Sequence, residues 1–152
     1  MNKELIEYMF TVSRNIAKRN AEGITNNESL QEMQGGTSVN WIVGHILQAR
    51  NTLLTQLGCE VVIPDNELMF YRPAHDEPIR QGTPIPLEIL LEKLDNSHPR
   101  FLELVTQTVT LADSTTTEQQ QKLISFFHFH ESYHVGQLGV MRRVLGKEGK
   151  IA

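Results

Sequence analysis

The chain has 152 residues, 14 basic and 18 acidic side chains for a formal net charge of −4, and a single cysteine. Such a length fits one domain spanning residues 1–152, with a core large enough to fold without disulfides or a structural metal, so any bound metal is expected to serve function. The acidic balance and the lack of a Lys/Arg cluster exclude nucleic acid as a partner, and no apolar run approaches the ~20 residues of a membrane-spanning helix.

Lone Cys59 rules out an intramolecular disulfide framework, and the opening MNKELIEYMF carries acidic residues where a secretion signal would be basic and then apolar. Both fit a reducing cytoplasm. In chain order, Leu5, Met9, Val12 and Ile16 recur at intervals of three and four, which predicts helix one over residues 3–22. The polar stretch GITNNESLQEMQGG reads as a linker. Ser38 then offers an N-cap oxygen to helix two, VNWIVGHILQARNTLLTQL, whose stripe Ile42, Ile46, Ala49, Leu53 and Leu57 is bordered by His45. Gly58 stops it.

Pro64, Pro73, Pro78, Gly82 and Pro84 exclude a long helix from residues 58–85 and predict a long connection. Helix three begins near Pro86 and carries Leu87, Leu90, Leu91, Leu94, Phe101, Leu102 and Val105, with a kink or a restart capped by Ser97 expected at Pro99. A capping box in STTTEQQQ opens helix four, which runs to about Gly146. The whole reads as all-α: a four-helix bundle in which the long crossover lets helices two and three run parallel.

Helix four contains FHFHESYHVGQLGVMRR. At 100° per residue His130 and His134 share a face, whereas His128 is turned about 160° from His130. Phe127, Leu138, Met141 and Leu145 continue the stripe under the pair, so the two imidazoles face the core, where an unpartnered imidazole costs about 1–3 kcal/mol. Chelation of one ion by side chains four apart explains them. His45 is the best interior candidate for a third ligand, since a crossing helix can bring it against the middle of helix four. Three ligands and an open position are the pattern of a catalytic site. Glu131 is rotated 100° from His130 and receives no catalytic role; His98 and His128 are expected to face solvent or another subunit, and Cys59 to plug a small apolar gap.

The sequence WIVGH in helix two, followed by H-x-x-x-H-x-G-Q-L from His130 to Leu138, resembles the DinB-like (DinB/YfiT) superfamily over essentially the whole chain. That resemblance implies a helical bundle with a long crossover after helix two, often a homodimer, binding a divalent metal through His45, His130 and His134. It further implies metal-dependent transfer or isomerisation chemistry with a low-molecular-weight thiol and a small-molecule substrate. Nitrogen ligands suit zinc, nickel, iron or copper alike, and an ion at an open site can deprotonate a thiol or a water. The readings from the residues are therefore a thiol-dependent transferase, a metal-dependent hydrolase, or a non-catalytic metal-binding or stress-response module. Around the site, Gln137 is placed to hold a ligand or a neighbouring helix, Tyr133 to form a buried edge and Trp41 to lie in the core or wall a pocket. From the loop FYRPAHDEP, His75 can fold over the open face with Tyr71 and Arg72 meeting an anionic substrate.

Overall fold

A computed structural model describes residues 2–33, 36–73, 82–111 and 114–151; it is helical, with no strand among the described residues. Four long helices, α1 (Lys3–Ala21), α3 (Val39–Gln56), α4 (Leu87–Leu111) and α5 (Ser114–Val144), are joined by one short helix, α2 (Asn26–Ser29), and by two 3-10 turns, Asp65–Glu67 and Met69–Tyr71. Each of α1 and α3 packs against both α4 and α5. No helix among the described residues is long and apolar enough to cross a membrane.

Local chemistry sets the boundaries. Asn2 caps α1 by accepting from the Leu5 amide, and Ser38 caps α3 by accepting from Trp41, each satisfying a donor that the first turn leaves open. After α3 the chain turns at Gly58, whose φ of +75° suits glycine, and the Cys59 amide returns to the Leu54 carbonyl at 2.8 Å. The segment read as a plain linker contains α2, because Thr25 and Glu28 form a reciprocal capping box strong enough to close one turn. Helix α4 continues through Pro99 without a restart at Ser97, since buried Leu90 and Leu94 before the proline and Phe101 and Val105 after it hold both halves on one core face. The capping box expected in STTTEQQQ lies outside the described side chains.

The core face of α1 is one residue out of step with the sequence expectation. Ile6, Phe10, Ser13 and Ala17 are buried, while Leu5 is exposed and Met9, Val12 and Ile16 are only half-buried. The two stripes sit 100° apart, and the one with the larger ring wins: Phe10 meets Phe101 edge-on at 5.0 Å. Its polar members are satisfied across the interface, Ser13 by His128 at 3.3 Å and Asn20 by donating to the Val135 carbonyl at 3.2 Å.

Pairwise contacts give the helix directions. Asn40 meets Ile85 and Arg50 meets His98, so α3 and α4 run in the same sense. Trp41 lies against His134 and Arg50 against Glu131, so α3 and α5 run in opposite senses. The lower part of the interior gathers Phe10, Leu53, Leu54, Phe101, Val105 and Ile124; the upper part gathers Ile42, Ile46, Leu90, Leu94, Val135 and Leu138. The histidines of interest stand in the upper part, between α3 and α5.

Candidate metal centre

Helices α3 and α5 bring His45, His130 and His134 together, with one nitrogen of each ring inside a common span of 4.8 Å. Nε2 of His130 lies 3.4 Å from Nε2 of His45 and 3.2 Å from Nε2 of His134. A tetrahedral ion with bonds of ~2.0–2.1 Å holds its nitrogens about 3.3 Å apart, so these spacings match an edge of such a polyhedron.

The outer nitrogens determine what the inner ones carry. His45 Nδ1 lies 2.9 Å from the Tyr71 carbonyl, which only accepts, so the ring donates there and leaves a lone pair on Nε2. His134 Nδ1 is 2.7 Å from Gln137 Oε1 and is fixed in the same tautomer. Three Nε2 atoms thus converge with at most one proton among them, that of His130, which can serve one neighbour but not both. His130 Nδ1 is buried and has no hydrogen-bond partner among the described residues. Burial lowers the proton affinity of all three rings, that of His45 to about 4, so at neutral pH they are uncharged and ready to donate their lone pairs. The donor set fits a divalent transition ion, and the clash of lone pairs is relieved by one.

Aromatic rings back the ligands. Trp41, half-buried on α3, stacks on His45 with ring centroids 4.5 Å apart. Tyr133 meets His134 edge-on at 5.2 Å and accepts from Gln137 Nε2 at 3.3 Å, so Gln137 links it to the ligand ring. The ring of Tyr133 is exposed, not the buried edge that the sequence suggested, because it lies on the outer side of α5. Phe126 stands 6.5 Å from His130 in a stacked arrangement.

The expectations for Tyr71, His98 and His128 are corrected. Tyr71 does not face outward toward a substrate: its ring is fully buried, its hydroxyl donates to Asn40 Oδ1 at 3.1 Å and accepts from the Ile85 amide at 2.7 Å, and burial pushes its phenol up to about 12. Arg72 is exposed and 3.8 Å from Asp65. His75 lies outside the described residues. His98 is buried, with Nε2 3.1 Å from Thr11 and Nδ1 3.2 Å from Arg50; His128 is half-buried against Ser13 and Phe10. Their polar partners on neighbouring helices draw both inward. Cys59 packs into the lower interior as a half-buried free thiol.

Sequence reasoning missed Gly44. A Cβ built there would lie 2.2 Å from Cδ1 of Tyr71, so only glycine lets that ring rest on α3 and its carbonyl reach His45. A glycine inside a helix, at a disadvantage of about 1 kcal/mol to alanine, was the available signal. Also missed was the Arg50–Glu131 pair, in which Nε and Nη2 donate to the two carboxylate oxygens at 2.8 and 2.7 Å in the interior.

Fold and site together define an all-helical protein with a three-histidine cluster able to hold a metal ion. A scan of protein-family models and a search of curated proteins give no match to this chain.

Proposed function

We propose that the protein is a divalent-metal-dependent enzyme of the DinB-like type, a four-helix bundle with its long crossover between α3 and α4, whose activity is thiol-dependent S-transfer. The observation that carries this reading is the convergence of three Nε2 atoms, two of them left with free lone pairs because the outer nitrogens of His45 and His134 are already fixed. His45, His130 and His134 would hold a zinc, nickel or similar ion. Its chemistry when bound is to acidify a coordinated low-molecular-weight thiol, which otherwise titrates near 8.5.

The chain's own residues supply position. The Tyr71 carbonyl and Gln137 set ring tautomers, Trp41 walls one side of the cluster, and among the described residues no fourth His, Cys, Asp or Glu joins the three, so a tetrahedral ion would keep one position for an exogenous sulfur. Hydrolysis is less well served, because Glu131, the acidic residue beside the ligands in sequence, is held by Arg50 and is not free to act as a base. A closed structural site is disfavoured by the three-donor set.

Elemental analysis of freshly purified protein, followed by a screen of small thiols with electrophilic acceptors, tests the reading. Stoichiometric zinc or nickel and turnover that needs both metal and thiol are the expected results. Metal-free protein that takes up no ion on reconstitution would refute it.

The cellular partner proposed is a second copy of the chain. Phe126, Phe129, Tyr133, Val140 and Val144 are exposed and fall within a sector of about 60° on the outer side of α5. With rings of ~150–250 Å² each, such a stripe approaches the upper end of apolar patches on monomers and a good part of the ~800 Å² that each partner contributes to a stable interface.

A further inference from the structure

Below the three histidines the interior holds a second polar cluster, where apolar packing alone would be expected. Arg50 and Glu131 are each 2% exposed and His98 is 4% exposed. Arg50 on α3 donates through Nε and Nη2 to Glu131 on α5, and its Nη1 lies 3.2 Å from Nδ1 of His98 on α4. His98 passes the chain on through Nε2 to Thr11 Oγ1 on α1 at 3.1 Å. The guanidinium lies over the Phe101 ring, 4.7 Å from its centroid, with Phe10 further off at 5.9 Å. All four long helices thus meet at one guanidinium.

A buried ion pair is a poor source of stability, because desolvating two charges offsets most of their attraction; fixing register between elements is its best-attested use. Here the register in question is that of the metal ligands. Arg50 follows His45 by five residues on α3, and Glu131 follows His130 directly on α5. The forked contact requires both oxygens of one carboxylate to meet two nitrogens of one planar group, so a slide of either helix by a single residue, about 1.5 Å, breaks it. Apolar side chains between the same helices tolerate such a slide far better. Moving His45 by that distance relative to His130 would take their nitrogens out of the chelating separation.

We infer that the Arg50–Glu131–His98 cluster is a positioning device that holds His45 against His130 and His134 in metal-binding register. This rests on the metal-site reading above, and its residues act through the ligands without touching the ion.

The test separates register from stability. In the Arg50→Met/Glu131→Leu double variant the pair is replaced by apolar groups of similar length, a change that leaves stability level or raises it when an ion pair had only a structural role. Wild type and variant are compared, metal-free, by urea denaturation, and then titrated with Co²⁺ as probe, reading affinity by chelator competition and geometry from the visible d–d bands. The expected result is an unfolding midpoint near that of the wild type, because the desolvation relieved by removing the pair offsets the loss of the Arg50 partner at His98 Nδ1, together with a ten- to hundredfold weaker Co²⁺ affinity and a shifted, weaker spectrum, the range seen when supports of metal ligands are lost. Should the double variant fail to fold, Glu131→Gln, which keeps one acceptor oxygen, is read the same way, with an affinity loss of severalfold expected. Wild-type Co²⁺ affinity and spectrum in a folded variant would overturn the inference while leaving the metal site standing; a wild-type protein that binds no Co²⁺ would overturn both.

Discussion

Substituting Gly44 with alanine adds one methyl group to the middle of α3 and isolates how much the site depends on the Tyr71 strut. The new Cβ would stand 2.2–2.4 Å from three atoms of the Tyr71 ring, against an ordinary contact of 3.4 Å or more, so the ring must retreat by about 1.2 Å. It cannot do so freely, because its hydroxyl is bonded to Asn40 and to the Ile85 amide and the ring is wholly buried. Three magnitudes compete. Alanine in a helix gains about 1 kcal/mol over glycine. Overpacking a close-packed interior loses about 1–3 kcal/mol, and breaking the hydroxyl bonds adds about 1–3 kcal/mol if the buried partners are left alone. The net is a destabilisation of roughly 1–5 kcal/mol, or about 3–15 °C in Tm for a chain of this size. As Tyr71 retreats its carbonyl leaves His45 Nδ1, and the loss of that support weakens metal binding ten- to hundredfold. Thermal unfolding of the metal-free protein and chelator competition for Zn²⁺ read the two effects separately. An alanine variant as stable as the parent, with unchanged zinc affinity, would refute the argument that Gly44 exists to seat Tyr71 beneath His45.

Replacing His134 with alanine should abolish most metal binding while the far-ultraviolet signal stays helical, and His128→Ala should leave metal content intact; elemental analysis after gel filtration decides, and loss of metal from the His128 variant would undo the ligand assignment. Among the described residues His130 has no partner on its outer nitrogen, so His130→Gln should weaken binding less than His45→Gln does, as measured by the same competition assay. Stability of the metal-free protein should fall in acid. Burial and the neighbouring Arg50 and Arg14 hold His98 at about 3, opposed by Asp95, so between its ordinary 6.5 and about 3 the unfolded chain takes up a proton that the folded chain refuses. The stability tied to His98 is whole above pH 6.5 and declines as pH falls toward 3, at up to about 1.36 kcal/mol per unit; His98→Gln should flatten urea midpoints measured across pH 7 to 4. Finally, Phe129→Glu with Val140→Glu should convert a dimer to a monomer in sedimentation equilibrium without loss of helix, and a wild type that sediments as a monomer would dismiss the α5 stripe as a self-association surface.

Where the sequence was informative, the information was periodic or local. The i, i+4 spacing of His130 and His134 needs only the pitch of a helix, and the Ser38 cap, the Gly58 stop and the run of prolines from Pro64 to Pro84 are signals read within a few residues of themselves. They fixed the helical class, the bounds of α1 and α3 to within a residue, and the shared face of the pair. The phase of α1 was ambiguous by the same logic, since Leu5, Met9, Val12 and Ile16 and the adjacent stripe through Ile6 and Phe10 both repeat at helical intervals. Choosing between them required Phe101 on another helix.

Tertiary structure decided everything that depends on what stands opposite. That His45 reaches His130 is a property of two helices packed together, and no spacing along either one contains it. The outward-facing roles read for His98 and His128 failed for the same reason, because a polar side chain is drawn inward only when partners such as Arg50, Thr11 and Ser13 wait there. Arg50 and Glu131 lie 81 residues apart, and each alone looks like an ordinary surface charge. Local chemistry wrote the helices and the chelating pair into the chain; the third ligand, the strut beneath it and the charge cluster behind it came into being only when the helices closed on one another.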